Sequence, residues 1–146
     1  MAVGSRRRAT IESACSGASA SGAGRSSRSS TSRARWRRWW RRRARLGEGI
    51  CTVFVRHATA AIIVNENADP GFRTDVVAAL DKLFPEGVWE HDKVDDNGAA
   101  HLKAAFLGPS ETVPVREGQL LLGTWQGIAL VECDGPRERE VIVDVH

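Results

Sequence analysis

Three histidines stand where imidazoles can do chemistry. His57 follows the run Cys51-Thr52-Val53-Phe54-Val55, His91 lies in a polar stretch beside Trp89, and His101 falls four residues past Asn97. Neutral imidazoles brought together make a divalent-metal site (zinc or magnesium) with a position open to water or substrate. A nearby carboxylate would orient such a ring or serve as a fourth ligand. Spacing alone does not bring the three together. The alternative for each is a half-buried ring with one satisfied hydrogen bond. His146, the last residue, is expected at the surface.

Other polar groups gather at the ends of apolar segments. Asn65-Glu66-Asn67 follows Ala61-Ile62-Ile63-Val64. It reads either as a local turn closed by asparagine side chains or as the lining of a polar pocket. Gly123-Thr124-Trp125-Gln126 interrupts an apolar run, where a glutamine is costly unless paired. There Trp125 is expected in the core, with Thr124 and Gln126 on the opposite face. Glu132 and Asp134 precede a turn carrying Pro136 and Arg137. Arg137 can clamp a phosphate in a bidentate fork, or pair with Glu138 or Glu140 at the surface. The chain contains no GxGxxG, P-loop, GxSxG or HExxH segment, so the common nucleotide, serine-hydrolase and zinc-protease signatures are absent.

These groups need elements to hold them. Residues 51–55 and 61–64 are rich in β-branched and apolar residues and read as two strands. The turn-forming stretch 65–71 reads as a loop. Val76, Val77, Leu80, Leu83 and Phe84 then recur at helical spacing, closed by Pro85 and Gly87. Val94 is expected in a short strand or ordered loop. Asn97 can cap a second helix carrying Ala99, Ala100, Leu102, Ala105 and Phe106, stopped by Gly108 and Pro109. Strands follow at 111–116, at 119–133 with a break near Gly123 or Gly127, and at 139–145, with turns at 116–118 and 134–137. Strands bracketing two helices give an α+β domain with a mostly antiparallel sheet.

Charge divides the 146 residues in two. Residues 1–46 hold 13 arginines, no lysine and one acid, a net charge of +12, whereas residues 47–146 carry −9. The overall +3 describes neither part. Residues 1–46 have too few aliphatic side chains to offset the ordering entropy of about 1–2 kcal/mol per residue, so disorder is expected there. Text rich in Arg, Ala, Gly and Ser is also what a GC-rich gene yields from a wrong frame or start. Trp36-Arg37-Arg38-Trp39-Trp40 is the one place where nucleic acid could be gripped, by charge and stacking. No apolar run reaches the roughly 18–20 residues of a membrane span, and nothing in 47–146 suggests secretion, so a cytoplasmic protein is expected. The three cysteines (Cys15, Cys51, Cys133) are too scattered for a disulfide scaffold or a CxxC zinc site.

Taken together, several blocks point further. His57-Ala58-Thr59-Ala60-Ala61-Ile62, the stretch Asn65 to Pro70, Asn97 to Lys103, Gly118 to Gln126 and Glu132 to Arg137 occur in an order that resembles the YjbQ-like family over residues 47–146. Members of that family carry the name secondary thiamine-phosphate synthase. The resemblance implies a homotrimer with polar clefts near the subunit boundaries, and His57, His91 and His101 around a divalent metal. It implies a weak transferase activity joining a hydroxymethylpyrimidine diphosphate to a thiazole phosphate, with release of pyrophosphate. Arg137 would then face a phosphate of the small phosphorylated substrate, Glu66, Asn67, Thr124 and Gln126 would position it, and Glu132 would handle a proton or support a ligand. The alternative is a trimer that binds a metal or small ligand without turnover. Two departures stand out: Ala58 replaces the family's usual threonine, and residues 1–46 show nothing like its first strand and helix. A chain without that strand and helix is expected to be unstable or prone to aggregate.

Overall fold

The computed structural model describes residues 7–10, 47–66 and 69–146. Among these residues, seven strands and three helices are arranged in layers. They are β1 (Arg7–Thr10), β2 (Glu48–Val55), β3 (Ala60–Glu66), α1 (Pro70–Leu83), α2 (Asp92–Asp95), α3 (Gly98–Leu107), β4 (Ser110–Arg116), β5 (Gln119–Leu120), β6 (Gln126–Glu132) and β7 (Glu140–Val145). Five strands form an antiparallel sheet in the order β1-β7-β2-β4-β5, while β3 and β6 pair as a separate antiparallel ribbon. The α+β class with a mostly antiparallel sheet is as expected.

The core follows from the period of two along each strand. Cys51, Val53 and Val55 of β2, Val115 of β4 and Val141 and Val143 of β7 point inward, onto Ala60, Ile62 and Leu130 of the ribbon. The ribbon's other face carries Ala61 and Val131 against Leu80, Val76, Phe84 and Leu107 from α1 and α3. Strand β3 is therefore apolar on both faces because it lies between two layers. Burial, aided by Asp144, pushes the Cys51 thiol up to about 11, so this cysteine acts as a packing group.

Local signals fix the ends of the elements. Helix α1 begins earlier than its apolar stripe suggests, because Asp69 caps it and Pro70 occupies its first turn. The Asp69 carboxylate accepts the Gly71 N–H at 2.8 Å. The residues read as a loop up to Gly71 thus contain a helix start. Strands β4 and β5 are joined by Glu117 and Gly118, both at positive φ (50° and 66°), the two-residue turn whose twist matches a hairpin. Residues 92–95 form a one-turn third helix in which Val94 is exposed, in place of the expected strand or ordered loop.

Of the first 46 residues, only Arg7–Thr10 are described. They pair antiparallel with β7, from Arg7 opposite Val143 to Thr10 opposite Glu140. Backbone pairing of this kind asks little of side chains, which is why RRAT carries no visible strand signal. The expected disorder of the remaining leader, and Trp36, Trp39 and Trp40, lie outside the described residues.

One charge pair, buried only at its lysine end, ties the two long helices together. The Lys103 ammonium on α3 reaches the Asp81 carboxylate on α1 at 2.6 Å, with side-chain exposures of 8% and 58%. The asymmetry sets the expected order of two variants. Asp81→Ala strands a buried ammonium and should cost about 1–3 kcal/mol. Lys103→Met refills the same space and leaves only an exposed carboxylate, a loss of about 1 kcal/mol or less. Urea unfolding of both variants checks this, and a larger loss for Lys103→Met would show that the charge is not what matters.

Candidate functional site

The links β2–β3 and β6–β7 meet at one end of the ribbon, where Ala60 stands opposite Glu132. At their junction lies a polar knot. The buried Glu132 carboxylate receives Arg139 in a fork, Nε to Oε2 at 2.6 Å and Nη2 to Oε1 at 2.7 Å. Its Oε1 also accepts the Asp134 N–H at 2.9 Å. Exposure of the two side chains is 0% and 5%. A buried pair of this kind is tolerable because each charge has its partner and the remaining lone pairs are used.

The knot extends outward through Thr59, itself buried. Arg139 Nη2 donates to Thr59 Oγ1 at 3.2 Å, and that hydroxyl reaches Asp134 Oδ2 at 3.4 Å. Asp134 Oδ2 also receives Asn97 Nδ2 and Arg137 Nη2, each at 3.5 Å. Arg137 Nε donates to the Asp134 carbonyl at 2.9 Å, which holds an otherwise exposed guanidinium beside the knot. Its partner is thus Asp134. Glu140 instead pairs with Arg56 at 3.2 Å.

His57 stands at the outer rim. The Thr59 backbone N–H donates to its Nδ1 at 3.2 Å, and Thr59 Oγ1 lies 3.0 Å from the same atom. Desolvation, then the Arg139 guanidinium, hold this imidazole below the ordinary 6.5, with Glu132 and Asp134 opposing. The ring is neutral at pH 7, and because Nδ1 accepts an N–H its proton sits on Nε2.

His91 and His101 form a second pair, ring edge to face, with centroids 4.6 Å apart. The loop that brings them together is built on Asp92, whose carboxylate accepts the Trp89 N–H at 2.8 Å and the Gly98 N–H at 2.7 Å. Asp92 therefore caps α3, whereas Asn97, the expected cap, makes no side-chain cap bond and turns its amide to Asp134. A Cβ on Gly98 would stand 2.7 Å from Asp92 Oδ1 and 2.8 Å from Trp89 Cβ. Gly98→Ala is therefore expected to lower stability by about 1–3 kcal/mol, against the usual gain of alanine in a helix. Thermal melting followed by circular dichroism tests it, and an unchanged or raised midpoint would contradict the tight fit.

The expected site residues do not all meet. Among the described residues no group of three or more His, Cys, Asp or Glu side chains stands together as a metal site. A zinc ion on His57 Nε2 would also need the ring proton on Nδ1, where the Thr59 N–H already points. The residues present in one chain thus do not fit the three-histidine centre. Glu66 lies opposite Gln126 at the far end of the ribbon from Glu132. Six residue steps separate the two ends, about 20 Å. Gln126 closes its own turn, with Oε1 accepting the Gly123 N–H at 2.8 Å. The segment 123–126 is a turn joining β5 to β6, so Thr124, Trp125 and Gln126 are all exposed and Trp125 is not a core residue. Asn67 lies outside the described residues. Thr59, Asp92 and Arg139 were not singled out by sequence reasoning. For Arg139 a signal exists: Val141 and Val143 face inward, and the same parity turns residue 139 inward.

The comparison with known proteins settles the lineage. A family model described as UPF0047 protein YjbQ-like matches residues 37–146. The chain belongs to the YjbQ-like UPF0047 family. The match begins ten residues before the stretch 47–146 over which the resemblance runs. A UPF0047 protein of Methanocaldococcus jannaschii is 41% identical over 102 residues, covering 70% of this chain and 73% of its own. The UPF0047 protein YugU of Bacillus subtilis is 44% identical over 94 residues, 62% of this chain and 69% of its own. Among solved structures, a YbjQ-like protein of unknown function from Sulfolobus solfataricus P2 is 48% identical, with a TM-score of 0.65 over 67% of this chain and 72% of that one. A hypothetical protein from Aeropyrum pernix K1 is 33% identical, with a TM-score of 0.75, and covers 97% of this chain and 98% of its own. No helix among the described residues of this UPF0047 member is long and apolar enough to cross a membrane.

Proposed function

We propose that this UPF0047 protein is a cytoplasmic transferase of the thiamine-phosphate synthase type, acting on small phosphorylated substrates. In the reaction the thiazole nitrogen bonds to the exocyclic carbon of the hydroxymethylpyrimidine diphosphate. The carbon–oxygen bond to the diphosphate breaks, and its electron pair leaves with pyrophosphate. Such a displacement depends on stabilising charge as it develops on the leaving group. One observation supports this reading: an exposed Arg137 held on Asp134 and an exposed His57 held on Thr59, whose hydroxyl reaches the same Asp134, sit on a base made rigid by the Glu132–Arg139 fork. Both can offer N–H groups to a departing diphosphate without reorganisation.

A homotrimer is part of the proposal. The polar residues fall in two groups at opposite ends of the β3–β6 ribbon, which is the arrangement expected if each cleft is completed by a neighbouring subunit. The exposure of Trp125, Leu121 and Phe106 supports it as well. A second reading, binding without turnover, is favoured by Glu132. Its carboxylate is buried, with both oxygens held by Arg139 and one also by the Asp134 N–H, so it presents no open oxygen to a substrate. The experiment is pyrophosphate release by the purified full chain given both precursors, with light scattering for mass. Release that requires both precursors and falls in Arg137→Ala supports the transferase. Ligand binding with no release supports the binding module, and a monomer that turns over would remove the trimer.

A further inference from the structure

We infer that His57 meets its ligand as a hydrogen-bond donor through Nε2–H, and that this ligand is a phosphate-type oxyanion bridging His57 and Arg137. The inference deepens the transferase reading and rests on it for the identity of the anion, the diphosphate of the substrate. The geometry leaves little choice of tautomer. The Thr59 N–H donates to Nδ1 whichever way the Thr59 hydroxyl turns, so Nδ1 is an acceptor and the neutral ring carries its proton on Nε2. Turning the ring over would set a carbon against that N–H and lose the bond. Thr59 is in turn held by Arg139 Nη2 at 3.2 Å, and Arg139 by the buried Glu132. Thr59 is thus a positioning residue that reaches the ligand only through His57.

The donor pair is completed by Arg137, whose Nε is spent on the Asp134 carbonyl at 2.9 Å and whose Nη2 lies 3.5 Å from Asp134 Oδ2. This holds the guanidinium in place while its exposed edge can fork an oxyanion. Two N–H donors, one of them backed by an Nδ1 that already accepts the Thr59 N–H, suit an anion, and suit a cation poorly.

Long-range proton–nitrogen spectra of the histidine rings in the full chain test this directly, with His57→Gln used to assign the His57 signals. The expected result is an unprotonated Nδ1 and a protonated Nε2, unchanged by zinc chloride and shifted at Nε2 by inorganic pyrophosphate. Calorimetric titration with pyrophosphate supplies the second readout. His57→Gln keeps an N–H near the same place and should hold affinity within about threefold, whereas His57→Phe and Arg137→Ala should each lose about tenfold or more. A bare Nε2, a His57 signal moved by zinc, or undiminished binding by His57→Phe would overturn the inference. Pyrophosphate bound through His57 without coupling of the precursors would remove the transferase and leave the donor role standing. Coupling that survives His57→Phe would do the reverse.

Discussion

Replacing Arg139 by methionine is expected to cost about 3–5 kcal/mol of stability, a large share of the margin of a domain of ordinary stability. The side chain is 5% exposed and carries the only side-chain charge drawn onto Glu132 among the described residues. Removing it abandons a carboxylate with 0% exposure and leaves Thr59 Oγ1 without its guanidinium donor. Loss of expression alone would say little, so the decisive comparison is with Arg139→Met/Glu132→Leu. That double variant removes both charges and gives up about 1 kcal/mol for each neutral group left unpaired, chiefly the Asp134 N–H. It should therefore be more stable than the single variant. Chemical denaturation of the two decides the matter, and a double variant as weak as the single one would mean that packing, rather than charge, holds this corner.

The layered fold was largely legible because it is written in local periods. The inward Cys51, Val53 and Val55, the inward Val141 and Val143, and the two-faced apolar strand around Ile62 all announce themselves at a spacing of two. The hairpin at Glu117-Gly118 is equally local, since Gly118 takes a positive φ at no steric cost. What escaped was whatever depends on distant partners. Arg139 sits in Arg137-Glu138-Arg139-Glu140, a run that looks solvated throughout, yet its partner Thr59 is 80 positions away. Thr59 reads as a small polar residue between alanines until the β6–β7 link is brought against it. Trp125 misled by its size: an indole in an apolar run suggests core, but the Gln126 side chain folds back to Gly123 and makes the segment a turn. The histidines were recognised as chemically capable, and the structure separates them into a pair on α3 and its loop and a single ring held by Thr59. A sequence cannot state the tautomer of His57, because a backbone N–H two residues on determines it.

Asp134 should behave in the opposite way to Arg139, although the two belong to one network. Its carboxylate collects Thr59, Asn97 and Arg137 on a single oxygen, but at 3.4–3.5 Å, where each contact is weak. Asp134→Ala keeps the backbone N–H that caps Glu132 and the carbonyl that takes Arg137 Nε. The expected loss of stability is therefore small, about 1 kcal/mol or less. What the substitution removes is the group that turns the Arg137 fork and the Thr59 hydroxyl toward the His57 rim. Long, loosely aligned contacts in a ligand-free site are those that tighten when charge develops nearby. Precursor-dependent pyrophosphate release should accordingly fall about 10²-fold, the size of effect seen when one preorganised donor is lost from a leaving-group site. A thermal midpoint lowered as far as in Arg139→Met would place Asp134 in the structural knot instead. Release unchanged in a well-folded Asp134→Ala protein would mean that the leaving group is held elsewhere. The separation of the two phenotypes, stability at Arg139 and turnover at Asp134, is what distinguishes a rigid base with a responsive rim from a uniformly structural cluster.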